Sequence, residues 1–363
     1  MDRYPFGRPI AELDTPSLCL DAETLQRNID RMAISLEDKP AGLRPHTKTH
    51  KCPTIAWLQL RAGAIGVTCA KLGEAEVMAQ AGIRDILIAN QIVGSYKIAR
   101  LVGLAAYSEV MVAVDDPLNA QALSEAALAT GTRLRALVEV NVGMGRCGVS
   151  PGQPALELAA LIERLPSLCF AGLMGYEGHA VMIADPGLRR QTAQQAMEQL
   201  VSTRDLLVRH GLQVSIVSGG GTGTYDTTSC YPGVTEIQAG SYATMDARYA
   251  SLGLDFECAL TVLSQVISVS GPEHAVIDAG IKTLTTEFGL PQVAEPAGWQ
   301  LSGLSEEHGS LISVGGAPLH PGDRVRLVPS HGCTTINLHD VYCVTRNGVL
   351  EAVWPIAARG RVC

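Results

Sequence analysis

No apolar run in this chain approaches the ~20 residues that a membrane-spanning helix needs. The first residues, MDRYPFGRPIAELDTPS, contain no apolar segment of the kind a secretory signal carries. Both absences point to a cytoplasmic protein without a membrane partner. Positive charge is not in excess either: 28 Lys and Arg stand against 36 Asp and Glu, a net charge of -8, which argues against nucleic acid as a partner. There is no CxxC pair, and the ten cysteines lack the regular spacing of a secreted disulfide framework. Most are expected to be buried thiols acting as small apolar residues; Cys333 stands apart because His331 precedes it by two positions. Internal repeats of fixed period and low-complexity segments are also missing, which favours one catalytic architecture over an array.

What is present is an ordinary globular composition, 47% hydrophobic and 18% charged over 363 residues. That length exceeds what a single core usually serves, so one large domain and a smaller one are expected. From about residue 25 to 245, amphipathic helical stretches such as 71–81 and 191–210 alternate with short continuous apolar runs. Such runs suit strands buried on both faces of a parallel sheet. Eight are recognisable, at 42–48, 64–70, 85–90, 110–115, 134–142, 170–176, 214–218 and 236–242. Eight β/α units over this length predict a (β/α)8 TIM-type barrel. After Tyr249 the texture becomes alternating and glycine-punctuated, in ALTVLSQVISVSG, HAVIDAG, DRVRLVPS and DVYCVTRNGVLEAVW, with Asn347-Gly348 as a hairpin turn. The expected organisation is therefore a barrel over 25–247 and a mainly β domain from 248–363, with 1–24 supplying a strand and a helix start that bridge the two.

In such barrels functional groups gather at the C-terminal strand ends. The first strand ends in Arg44-Pro45-His46-Thr47-Lys48-Thr49-His50-Lys51. A lysine at a barrel mouth is desolvated, which lowers its pKa and makes it an amine nucleophile toward an aldehyde. The plain alternative, a solvated surface lysine, suits Lys51. Strands seven and eight lead into Ser218-Gly219-Gly220-Gly221-Thr222-Gly223-Thr224 and Gln238-Ala239-Gly240-Ser241-Tyr242. One glycine run alone is commonly just a flexible turn. Two at these strand ends, opposite a lysine, form the usual barrel site for a phosphate group.

These segments, with VNVGMGRCGV, GYEGH, VIDAG, EEHG, PSHGCTTINLHD and VWPIAARGR, resemble the fold-type III pyridoxal-phosphate (PLP) enzymes that include alanine racemase. Within that group the chain is similar, over nearly its whole length, to the D-threonine aldolase and D-serine dehydratase branch. The resemblance implies PLP held as a Schiff base by Lys48, with Lys51 as the second choice, and the phosphate among Ser218, Gly220, Gly221, Thr222, Gly240, Ser241 and Tyr242. It places Arg146 of GMGR near the cofactor's phenolic oxygen, and Gln238 where alanine racemases carry an arginine facing the pyridine nitrogen. Tyr176 and His179 look like the aldolase branch, in which a histidine near the substrate's β-hydroxyl acts as base; an isolated histidine would more often be structural or exposed.

His331-Gly332-Cys333 resembles the His-x-Asp or His-x-Cys pair that binds a divalent metal beside PLP in this branch. Two protein ligands leave positions for water and the substrate's hydroxyl, as a catalytic site requires. A thiolate favours Zn2+, whereas a carboxylate would favour Mn2+ or Mg2+. The plain alternative is a strand-end histidine beside a buried cysteine. His339 and Asp340 read as supporting or structural residues. Aldolases of the branch typically carry Asp where Cys333 stands and D-serine dehydratases carry Cys, while GYEGH, SGGGTGTY and WPIAARGR look more like the aldolases. The resemblance thus implies a β-hydroxy-D-amino acid substrate and cleavage to glycine and an aldehyde, with dehydration to a keto acid and ammonia as the alternative. A third possibility is a non-catalytic PLP-binding protein, which resembles a lone barrel; the β domain counts against it. Relatives usually form dimers in which the β domain of one subunit closes the other's active site, so a homodimer is expected, with Glu307 and His308 of EEHG acting in trans.

Overall fold

The computed structural model describes residues 4–363. It divides into two compact units. The first comprises Met32–Lys48, Ile55–Gly240 and Arg361–Cys363; the second comprises the chain up to Arg31, Thr49–Thr54 and Ser241–Gly360. The leading strand β1 (Ser17–Asp21) belongs to the second unit, and the helix after it, α1 (Ala22–Leu36), passes from one unit to the other after Arg31.

The first unit alternates strand and helix: β2 (Gly42–Leu43), α2 (Pro53–Arg61), β3 (Val67–Cys69), α3 (Leu72–Gln80), β4 (Asp85–Gln91), α4 (Ser95–Ala105), β5 (Glu109–Val114) and α5 (Pro117–Thr130). It continues with β6 (Leu134–Glu139), α6 (Gln153–Arg164), β7 (Leu168–Met174), α7 (Pro186–Arg209), β8 (Ile216–Gly219), a short α8 (Tyr225–Thr228) and β9 (Glu236–Ile237). The eight strands run parallel in the order β2-β9-β8-β7-β6-β5-β4-β3. The two ends of this path also bond to each other. Ile65 N–H donates to Leu43 O, Thr68 N–H to Pro45 O and Thr47 N–H to Thr68 O, at 2.8–2.9 Å, so the sheet closes into the expected barrel.

Burial explains why the strands read as unbroken apolar runs. Leu87, Met111, Ala113, Leu137, Ala171, Met174 and Ile216 pack together in one cluster, while the alternate residues Ile86, Ile88, Val110, Val112, Ala136 and Val138 are buried as well. A strand covered on both faces has no polar side to show. Gly172 in β7 is required by close approach: a Cβ there would lie 1.9 Å from the Ile216 carbonyl oxygen. Helix ends follow local chemistry. Asp116 and Asp185 cap α5 and α7 by accepting from Asn119 N and Leu188 N, each with proline at the first helical turn. The second cap starts α7 five residues before the periodicity over 191–210 becomes visible.

At the strand-start end of the barrel the core is ionic. Arg44 Nε lies 3.0 Å from Glu236, the first residue of β9, and its Nη1 lies 2.6 Å from Asp85, the first residue of β4. The Arg44 and Glu236 side chains are 4% and 3% exposed, a buried pair that holds only because each charge has its partner.

The second unit is the expected β structure. After a short α9 (Ala247–Ala250) come β10 (Leu260–Gly271), β11 (His274–Ile277), β12 (Gln292–Glu295), β13 (Trp299–Leu304), β14 (Gly309–Ser313), β15 (Arg324–Val328), a short α10 (Gly332–Ile336), β16 (Val341–Arg346) and β17 (Val349–Pro355). They form one sheet with the path β13-β14-β11-β10-β1-β16-β17, and β15 joins β10 to β12 off that path. Asn347 and Gly348 turn β16 into β17 with φ of 49° and 72°, the positive pair that a tight two-residue hairpin needs.

The cysteines depart from expectation. All ten are free thiols, but only Cys19, Cys52, Cys69 and Cys343 are buried; Cys169, Cys230 and Cys363 are exposed and the rest intermediate. Apolar neighbours in sequence do not decide which face of an element a thiol takes. Among the described residues no helix is long and apolar enough to cross a membrane.

Candidate active site

In the barrel unit, the polar residues after the strands converge. Lys48 follows β2, is partly buried, and holds its Nζ 5.7 Å from the centroid of the Tyr176 ring. The Arg146 guanidinium carbon also lies 5.7 Å from that centroid. Tyr176 follows β7, so two cations from separate strand ends meet one aromatic ring, whose electron-rich face suits them. Arg146 is carried on a loop after β6 that is braced from within. Asn141 Oδ1 accepts from Gly143 N and Gly145 N at 3.1 and 3.0 Å, and Asp115 Oδ2 accepts from Gly148 N at 2.9 Å. His179 is exposed and lies over this loop, close enough that a Cβ on Gly143 would sit 3.0 Å from its ring.

Ser218, the penultimate residue of β8, is fully buried, and its Oγ accepts from Gln238 Nε2 at 2.8 Å; Gln238 follows β9. In the turn after β8, Gly220 N–H donates to Glu177 and Gly221 N–H to the Thr224 hydroxyl. Thr222 is buried in the same turn. Sequence reasoning passed over Glu177, which lies inside the GYEGH motif, because an acidic residue before a glycine reads as a solvated turn. It also passed over Glu139, whose carboxylate accepts from Gln91. Glu139, Asp115 and Cys147 could bring ligand atoms within 4.8 Å of one another. Burial pushes the Glu139 carboxyl and the Cys147 thiol above their ordinary values, and within this group Asp115 braces the Arg146 loop through Gly148 N.

In the β unit, His331 and Cys333 flank the start of α10. Asp246 Oδ2 accepts from Gly332 N at 2.8 Å and fixes the turn between them. His331 Nδ1 lies 2.8 Å from Glu287 Oε1, and its ring stands 4.8 Å from that of Phe288. Burial opposes charge on His331, but Cys333, Asp246 and Glu287 outweigh it and lift the imidazole to about 9. The Cys333 thiol reaches Thr49 Oγ1 at 3.4 Å, and Ser241 Oγ lies 3.9 Å from it. Tyr242 is fully buried with its ring 5.5 Å from that of Phe256. Lys51 belongs to this unit and is not the solvated surface lysine expected: it is 8% exposed, with φ of 51°. The chain folds it inward at a turn where its carbonyl accepts from Ala358 N. His339 bonds to the Thr283 carbonyl and Asp340 pairs with Arg359.

Residues 20–248 match the family described as alanine racemase, N-terminal domain, and residues 259–345 match a putative serine dehydratase domain. The chain is 40% identical to a D-threonine aldolase of Arthrobacter sp, over 98% of this chain and 95% of the relative. The chain belongs to the fold-type III PLP enzymes. Two further likenesses lie in the same branch. A 3-hydroxy-D-aspartate aldolase of Paracoccus denitrificans (strain Pd 1222) is 37% identical over 98% of this chain and 94% of its own. The solved D-threonine aldolase from Filomicrobium marinum superposes with a TM-score of 0.97 at 39% identity, covering 99% of this chain and 100% of that one. Dehydratases are more distant: a D-threo-3-hydroxyaspartate dehydratase of Delftia sp. (strain HT23) is 30% identical over 89% of this chain and 92% of its own. Solved forms of that type of dehydratase include a His-to-Ala variant and, two positions on, a Cys-to-Ala variant in a metal-free form. Lys48, Arg146 and Tyr176 stand together in one unit.

Proposed function

We propose that this chain is a PLP- and divalent-metal-dependent lyase that cleaves β-hydroxy-D-amino acids, such as D-threonine, to glycine and an aldehyde. The observation that carries this reading is the convergence of Lys48 and Arg146 on Tyr176 in a chain aligned end to end with aldolases. In this reading the barrel, 25–247, holds the cofactor, and 1–24 with 248–363 holds the metal.

The residues fit PLP by their chemistry. A partly desolvated lysine offers an amine to an aldehyde, Arg146 offers a cation to a phenolic oxygen, and the Ser218-tethered amide of Gln238 offers a neutral partner to a ring nitrogen. Ser218, Gly220, Gly221, Thr222, Gly240, Ser241 and Tyr242 would surround the phosphate. PLP, when bound, supplies an electron sink for the bond broken at the substrate's α-carbon. Lys48 acts as nucleophile and proton carrier. Tyr176 provides the aromatic surface beside both cations. His179, on its exposed position over the Arg146 loop, takes the proton of the substrate's β-hydroxyl.

His331 and Cys333 fit a soft, tetrahedral cation, with Zn2+ favoured and Mn2+ or Mg2+ as substitutes. With Nδ1 committed to Glu287, His331 would use Nε2, the arrangement in which a carboxylate fixes the tautomer of a metal-binding imidazole. The metal would supply Lewis-acid polarisation of an oxygen. Dehydration to a keto acid and ammonia is the second reading. One observation favours it: Cys333 gives this chain the His-x-Cys spacing of the dehydratase variants. A homodimer is part of the proposal, tested by sedimentation and activity on dilution.

The deciding experiment is product analysis. Purified enzyme with PLP and Zn2+ or Mn2+ is incubated with D-threonine, D-serine or 3-hydroxy-D-aspartate, and glycine, aldehyde, keto acid and ammonia are assayed together. Glycine with aldehyde is expected; keto acid with ammonia transfers the assignment to the dehydratase reading, and no product from any of them leaves a PLP-binding protein. Chelation is expected to stop turnover and leave the cofactor's visible absorption in place, and turnover indifferent to chelators would remove the metal.

A further inference from the structure

We propose that Glu177 is a positioning residue that sets the turn after β8 for the cofactor's phosphate group, an inference that rests on reading that turn as the phosphate cradle. Its carboxylate is wholly buried and belongs to no ion pair among those of the described residues. Burying a carboxylate is costly unless hydrogen bonds replace its water. Here three donors do so: Gly220 N–H at 3.0 Å to Oε2, and the Thr224 and Thr228 hydroxyls at 2.7 and 2.6 Å to Oε1. All three come from the turn after β8 and the short α8 that follows it, although Glu177 itself follows β7.

The same network reaches one residue further. The Thr224 hydroxyl that donates to Glu177 accepts Gly221 N–H at 3.2 Å. Two successive backbone N–H groups, those of Gly220 and Gly221, are thereby turned to the Glu177 side, one directly and one through Thr224. With those two N–H groups held on the Glu177 side, Gly220 and Gly221 can line a phosphate as bare backbone but do not donate to it. Gly223 is pressed against the neighbouring backbone so tightly that a Cβ would lie 1.9 Å from the Val181 carbonyl oxygen. A set of four acceptor lone pairs is what this orientation needs. An amide at position 177 would oppose one of the three donors with an N–H2 group, and an apolar side chain would leave all three unsatisfied.

The test separates positioning of the phosphate turn from support of the barrel at large. Dissociation constants of the apo-protein for PLP and for pyridoxal, which has the same aldehyde and ring but no phosphate, are measured by visible absorption for wild type and Glu177→Gln. The expected result is a PLP Kd raised about tenfold or more, the scale of a lost charge-assisted hydrogen bond, with the pyridoxal Kd within about twofold of wild type. Equal weakening of both, or weakening of neither, overturns the proposal. A wild type that binds pyridoxal as tightly as PLP overturns it too, by removing the phosphate cradle, while the assignment of Lys48 stands on its own. Should Glu177→Gln fail to fold, Thr224→Val cuts the link between Glu177 and Gly221 N–H. It is expected to lower the PLP-to-pyridoxal preference in the same direction by a smaller factor, and an unchanged preference counts against the proposal.

Discussion

Arg44 and Lys48 are four residues apart on one strand and its extension, yet the two ends of the barrel treat them differently. Arg44 is enclosed: its guanidinium meets Glu236 and Asp85 at 2.6–3.1 Å, and both carboxylates begin strands of the same barrel. Lys48 meets the Tyr176 ring instead, beside a second cation. A charge neutralised by partners built into the sheet serves cohesion, because removing either partner strands the other in a low dielectric. Cations gathered on an aromatic ring at strand ends suit an anionic, planar ligand. The same residue class is tied into the sheet at one end and, in the proposed function, carries chemistry at the other.

That contrast can be broken most directly at Lys48. Lys48→Ala is expected to abolish turnover by several orders of magnitude and to remove the absorption of the lysine-bound cofactor near ~420 nm, with the fold intact. Lys51→Ala is expected to keep that band; loss of it there and not in Lys48→Ala would move the cofactor to the other lysine. At the opposite end, Arg44→Met is expected to cost about 3–5 kcal/mol in denaturant unfolding by leaving Glu236 buried and unpaired. Adding Glu236→Gln should recover part of that loss, and a single replacement that costs nothing would mean the ion pair is not what closes this end. The smallest effect concerns pH. Burial holds the Glu139 carboxyl above its ordinary value, so the folded chain keeps this proton longer than the unfolded chain does. Its contribution to stability is therefore favourable in acid and lost as pH rises from the ordinary Glu value, about 4.3, through the raised one. Relative to wild type, Glu139→Gln is expected to be more stable at neutral pH than in acid, measured as unfolding free energies at both; a difference independent of pH would refute the assignment.

Much of this was legible in the residues. Eight apolar runs appear as eight parallel strands, because a strand covered on both faces has no polar register to hide. The strand limits were less legible. The runs 42–48 and 236–242 shrink to the regular pairs Gly42–Leu43 and Glu236–Ile237, since their later residues leave the ladder to form turns. Glycine turns and strand-end cations marked the candidate site, whereas Glu177 and Glu139 did not stand out. A buried carboxylate looks the same in sequence as a solvated one, and only the donors around it tell them apart.

The sequence by itself determined the barrel, the β unit and the chemical types at the strand ends, because periodicity, glycine turns and short motifs are local properties of the chain. Tertiary structure alone decided which charges are spent. It paired Arg44 with residues 41 and 192 positions away and turned Lys51 inward. It also set Glu177 beneath a turn more than 40 positions on. Partners that distant are chosen by how strands close into a barrel, and no local pattern records that choice.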